Sequence, residues 1–155
     1  MGEESEDTVG LSAASYQFLR RQVLLFQGFA LGLAQQSGLQ PDEAGQRFWQ
    51  GVSRGGAPRS VNAGELERIA QMVAEDVELL YGEASVEHYG EGWRVAASIS
   101  ANDRATLERW GAPLEYVVAW LAEIQRHEGE GLWVDWTTTL EGNRLIQELI
   151  PRTLD

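Results

Sequence analysis

The sequence predicts an α+β fold: a helical N-terminal half of about three helices, then a small antiparallel sheet of three or four strands crossed by one helix. Three observations carry this. Apolar residues recur every three or four positions over most of residues 12–82, the period of a helix face. Beyond Gly82, two segments rich in β-branched and aromatic residues each lie beside a Gly-containing turn. Helices and strands are segregated along the chain rather than alternating, which argues against a doubly wound sheet. The 155 residues fit one domain over 12–155, helical over 12–82 and sheet plus helix over 84–150. Residues 1–11 read as a disordered acidic tail.

Ser12 to Ser37 reads as a long helix. Tyr16, Leu19, Val23, Phe26, Ala30 and Leu33 form one stripe, and Phe18, Leu25 and Phe29 widen it. So much apolar surface has to be covered, by the rest of the domain or by a second copy. Gly38 suits a C-terminal cap and Pro41 blocks continuation. Pro41 to Val52 is a second helix with Ala44, Phe48 and Val52 turned inward, and Asp42 and Glu43 near its positive end. Residues 54–60 are a loop. Asn62 and Glu65 have capping-box spacing, opening a third helix with Leu66, Ile69, Val73, Val77 and Leu80 on one face, stopped by Gly82.

Ser85–Tyr89 and Trp93–Ile99 flank Gly90-Glu-Gly92 and read as a hairpin. Trp93, Val95, Ala97 and Ile99 would share one face. A short helical turn spans Asn102 to Trp110, and Pro113 opens a longer helix through His127, ended by Gly129. Leu132–Leu140 is strongly β-prone. Arg144–Ile150 has two readings: a strand completing a second hairpin, favoured by the Gly-Asn turn signal, or a terminal helix capped by Thr138 and Glu141.

Composition excludes several chemistries. There is no Cys and, because all 12 basic residues are Arg, no Lys. Disulfides, thiolate metal sites, Fe–S clusters, Schiff-base catalysis and a P-loop lysine are therefore ruled out. A net charge of −12, with Arg scattered from Arg20 to Arg152, argues against nucleic acid as a partner. The apolar run Val23–Ala34 after Arg20-Arg21 falls short of the ~20 residues of a membrane span and contains Gln27. A cytoplasmic protein without a membrane partner is the expectation.

Five of the six Trp lie between Trp93 and Trp136. Aromatics anchor the cores of small sheets, yet a thin sheet has limited room for five. The helix after Pro113 sharpens the point. Leu114, Val117, Val118, Leu121 and Ile124 make the expected inward stripe. Tyr116, Trp120, Glu123 and His127 form a second stripe on nearly the opposite side, suited to a pocket wall or a partner surface. Glu123 and His127 are four apart and can meet, the arrangement by which a carboxylate orients a general base. With His88 nearby the same pair could ligate a metal. Asp135 sits in a strand between Trp133 and Trp136 and would need a donor such as Arg94 or Arg144 if enclosed. No Ser has a nucleophile-elbow surround, and the carboxylates Glu75, Asp76 and Glu78 read as a solvated helix face.

These residues favour a binding or sensor domain that holds a small, partly apolar ligand and works as a homodimer. Trp93, Tyr116, Trp120 and Trp136 would form aromatic walls, with Glu123, His127 and Asp135 orienting polar groups. No particular cofactor is implied. One alternative is a small hydrolase or isomerase using His127 as base and Glu123 as its orienting partner. Another is a structural or adaptor homodimer built on the long first helix.

Overall fold

The first helix forms because its residues propagate well and its start is capped. In a computed structural model describing residues 12–53 and 55–153, α1 spans Ala13–Gln36, and the Ser12 side chain accepts the Ser15 backbone N–H. The tail expected over 1–11 lies outside the described residues, as does Arg54 of the expected loop. The second helix, α2, is Pro41–Val52, and α3 is Ala63–Leu80, opened by the expected Asn62–Glu65 capping box. Leu66, Ala70, Val73 and Val77 are the buried face of α3. On α2 only part of the expected inward set is covered: Ala44 is buried, whereas Phe48 and Val52 are about half exposed.

The sheet comes next. Strands β1 (Ala84–Tyr89) and β2 (Gly92–Ser98) form the first hairpin, and β3 (Val134–Glu141) and β4 (Arg144–Pro151) the second. Arg144–Pro151 is thus a strand, in the hairpin arrangement that the Gly142-Asn143 turn favours. Between the hairpins lie α4 (Ala101–Arg109) and α5 (Leu114–Leu132). All pairings are antiparallel, in the order β1-β2-β4-β3. Helices first, then a sheet with α5 lying on it, is the α+β arrangement that the segregation of periods predicts.

The core sits between one sheet face and the helices α3 and α5. Val95, Ala97, Leu145, Leu149, Val134 and Trp136 supply the sheet side. Leu114, Val117 and Val118 on α5 and Ala70, Val73 and Val77 on α3 supply the helix side. Gln147 is wholly buried at the centre of this face. It accepts hydrogen bonds from Gln125 Nε2 at 2.7 Å and Trp136 Nε1 at 3.0 Å. These bonds stabilise the buried oxygen and fix how α5 sits over the second hairpin. The opposite sheet face is mostly polar, with Arg94 bridging Glu148 across the strands and Thr137 and Thr139 exposed, while Ala96 and Ile146 are buried on it.

The helix α5 departs from its expected end. It runs through Gly129 and Gly131 and stops at Leu132, with Trp133 in the left-handed region at φ 54°. Gly129 is not a terminator. It faces the sheet so closely that a Cβ there would lie 2.5 Å from the Val134 carbonyl oxygen and 3.0 Å from Trp136 Cβ. The missing side chain lets β3 fold straight back along the helix that precedes it. At Gly131 a Cβ would meet nothing within 4 Å. Gly129→Ala should therefore cost about 1–3 kcal/mol through overpacking against backbone. Gly131→Ala should be neutral or stabilising by up to about 1 kcal/mol through helix propensity. Urea denaturation of the two variants checks the contrast.

Candidate functional site

Helix α5 carries chemistry-bearing side chains on the side away from the sheet, and α2 lies along that side. The two helices approach closely because residue 45 is glycine: a Cβ there would lie 2.8 Å from both the Trp120 carbonyl oxygen and Glu123 Cβ. Around this contact the second stripe is used one residue after another. Tyr116 is buried and its hydroxyl donates to the Leu39 carbonyl at 2.7 Å. Burial, with the Glu43 and Asp42 charges adding to it, raises its pKa. Trp120 meets Phe48 edge-on at 5.3 Å, and His127 stacks on Trp49 at 6.0 Å with planes 7° apart.

Glu123 and His127 meet as their spacing predicts, at 3.1 Å from Nε2 to Oε1. Two further groups complete the cluster. Arg126 donates to both Glu123 oxygens, at 2.8 and 3.2 Å, and this contact holds the carboxyl below its usual pKa range against the opposing effect of burial. The other ring nitrogen of His127 lies 3.8 Å from Glu130. Nε2 is engaged by Glu123, whereas Nδ1 stands beyond hydrogen-bond distance of Glu130, and one ring face is covered by Trp49. The charged contacts of the cluster all lie within α5, and it reaches α2 through the stacking of His127 on Trp49. Among the described residues no three His, Asp or Glu side chains gather as metal ligands. His88 is elsewhere, on β1, with its ring 3.8 Å from that of Trp93.

The expected site residues therefore fall into three groups. Tyr116, Trp120 and Glu123 lie against α2, so intrachain packing occupies much of the second stripe. His127 and Trp136 line a cleft of about 840 Å³. Trp93 and Asp135 join neither group. Trp93 shares the core-facing side of the sheet with Trp136, separated from it by Leu149, and lies against His88. Asp135 points to the opposite sheet face, where Arg152, rather than Arg94 or Arg144, donates to it at 2.6 Å.

The cleft opens where α2 and α5 end. Its apolar lining includes Trp49, Val52, Ile69, Met72, Leu132 and Trp136. One side is the loop Gly55–Pro58, tied down by the Arg59 N–H donating to the Gly131 carbonyl at 3.0 Å. Its polar groups are mainly acidic: Asp76, Glu128 and Glu130 beside His127. Glu128 is only partly exposed, and among the described residues no cation pairs with it. Burial, reinforced by the nearby Asp76 charge, raises its pKa.

Sequence reasoning missed Glu128; Asp76, read as part of a solvated face, is indeed exposed and also lines the cleft. A signal for Glu128 existed: it stands four residues from both Ile124 and Leu132, in line with the inward stripe. Trp49, the one Trp outside the 93–136 cluster, had no such marker. Comparison with protein-family models, curated proteins and solved structures finds no match to this chain.

If Gly45 sets the helix spacing, Gly45→Val should force α2 away from α5 at a cost of at least about 1–3 kcal/mol. The variant should show red-shifted Trp emission as Trp49 and Trp120 meet water, and faster proteolysis within residues 39–53. Unchanged emission and cleavage would mean that α2 tolerates a side chain at the contact.

Proposed function

We propose that the protein is a non-catalytic binding module that works as a pair of copies and holds a small, partly apolar cation in the cleft between α3, the end of α5 and the loop after α2. The observation that carries the ligand reading is Glu128: a carboxylate partly withdrawn from water, in a cleft with aromatic and aliphatic walls. Such a group gains from a cationic partner, and Asp76 and Glu130 reinforce the same preference. Trp49, with Val52, Met72 and Leu132, offers apolar surface to the ligand's hydrocarbon part. The sensor aspect is supported by α2, which supplies Trp49 and Val52 to the cleft and Phe48 to a groove beside α1. A ligand that favours one position of α2 biases both places.

The test is a Trp-fluorescence titration with phenyltrimethylammonium, its neutral isostere tert-butylbenzene, and benzoate. A saturable change with the ammonium, at least about tenfold weaker for the other two, is expected, since a charge contact of about 1.4 kcal/mol is tenfold in affinity. Glu128→Gln should remove the discrimination. Binding should weaken as pH falls and Glu128 protonates, beginning above the ordinary carboxylate range because its pKa is raised. The stability effect has the opposite sign. A raised folded-state pKa means that the folded chain binds the proton more tightly, so stability falls as pH rises from the ordinary carboxylate range through the raised folded-state pKa. Glu128→Gln should therefore raise Tm at pH 7. No saturable signal with any probe, or equal binding of all three, overturns the ligand reading.

A further inference from the structure

The outer half of α1 is uncovered. Leu24, Gly28, Leu31 and Gly32 face the domain, where Arg20 pairs with Asp103 at 2.7 Å and Tyr81 donates to Gln27 at 2.9 Å. On the outer side, Phe18 is 65% exposed, Phe26 72%, and Leu19, Phe29 and Leu33 between 44% and 49%. Val23 on the flank and Phe48 on α2 extend the same surface, joined to Phe26 along a groove of about 480 Å³. At about 150–200 Å² for a large apolar residue, these seven present roughly 600 Å². That is the upper end of what monomers leave bare, ~300–600 Å². It is also about three quarters of one side of a standard interface, ~800 Å² per partner.

From this we infer that α1 pairs antiparallel with α1 of a second copy, about a twofold axis at Phe26. This rests on the pairing part of the function proposed above and is independent of the cleft, with which the surface shares no residue.

Two features select a second copy as the occupant. The first is charge. The chain carries 24 acidic residues, yet α1 from Ala13 to Gln36 contains none, so two copies of an acidic protein can meet here without apposing carboxylates. The second is internal symmetry. Leu19, Phe26 and Leu33 are seven apart, the repeat of a helix–helix seam, and Phe26 stands midway. A twofold axis there sets Leu19 against Leu33 of the second copy, Phe26 against its counterpart, and Val23 against Ala30 of the second copy, both lining the groove beside α2. A closed isologous contact of this kind needs one patch that complements itself.

The absence of Cys makes the test direct. Sedimentation equilibrium of the wild-type chain should give about twice 17.2 kDa. Under mild oxidation, the Phe26→Cys variant should form a disulfide dimer. Phe18→Cys should not, because eight residues either side of the axis place two such positions ~24 Å apart at 1.5 Å per residue. Phe26→Asp should sediment as a monomer with unchanged helical circular dichroism. If that variant fails to fold, the two cysteine variants decide. A monomeric wild type, a Phe26→Asp dimer, or crosslinking through Phe18→Cys overturns the proposal. Because no ligand enters these measurements, their failure is separable from failure of the titration.

Discussion

The close approach of α2 to α5 at Gly45 is the contact on which the rest of the helical layer depends. It makes α5 a two-sided element, with the sheet against one side through Gly129 and α2 against the other. Both contacts work by omission: the helix or strand comes near enough to pack only because a Cβ is missing. The consequence is geometric. The two helices run in the same direction, with Leu39 beside Tyr116 and Trp49 beside His127. Helix α2 stops at Val52, close to where α5 ends at Leu132. The cleft lies where the two helices end together, bounded by α3 and by the loop that returns to it.

That arrangement explains why an aromatic stripe does not by itself mark a ligand wall. Tyr116 and Trp120 are amphipathic, with large apolar bodies and one polar atom each. Buried under α2, Tyr116 finds a carbonyl for its hydroxyl, and Trp120 is met edge-on by Phe48. A helix only 12 residues long has few apolar residues to offer, so aromatics on the larger partner supply the missing area. The charged members have a similar structural use. Glu123, Arg126, Glu130 and His127 form a connected set at the rim of the interface, where water screens their attraction and orientation outweighs energy.

Local features are legible in the sequence and long-range ones much less so. The Asn62–Glu65 box, the Gly90 and Gly142 turns, and the Glu123–His127 pair all depend on spacings of six residues or fewer, and the structure realises each of them. Gly129 is misread because a glycine that ends a helix and one that admits a neighbouring strand look identical without the neighbour. Asp135 lies on the exposed face, so the enclosed-face donors Arg94 and Arg144 are not needed, and the donor it does meet is not foreseeable. Strand order decides whether Arg94, Arg144 or Arg152 lies beside it, and only the β3–β4 register brings Arg152 within reach. The cover over α5 is invisible because nothing in residues 41–52 or 114–132 alone states that these helices run alongside one another.

Adjacent residues of α2 serve different surfaces, and this is the fold's most consequential placement. Trp49 borders the cleft, whereas Phe48 borders the groove along α1. Residues one apart on a helix point about 100° apart, so a rigid helix cannot shift one of them without moving the other. Communication between the two places therefore requires no chain of intermediates, only a second position for α2 that costs little. The contact at Gly45 limits what that position can be. Sliding along α5 would drive the Glu123 side chain into the α2 backbone, whereas a small roll about the Gly45 contact keeps the helices at their present distance. On the ligand reading proposed above, an occupant of the cleft that prefers one such position of α2 would bias both places.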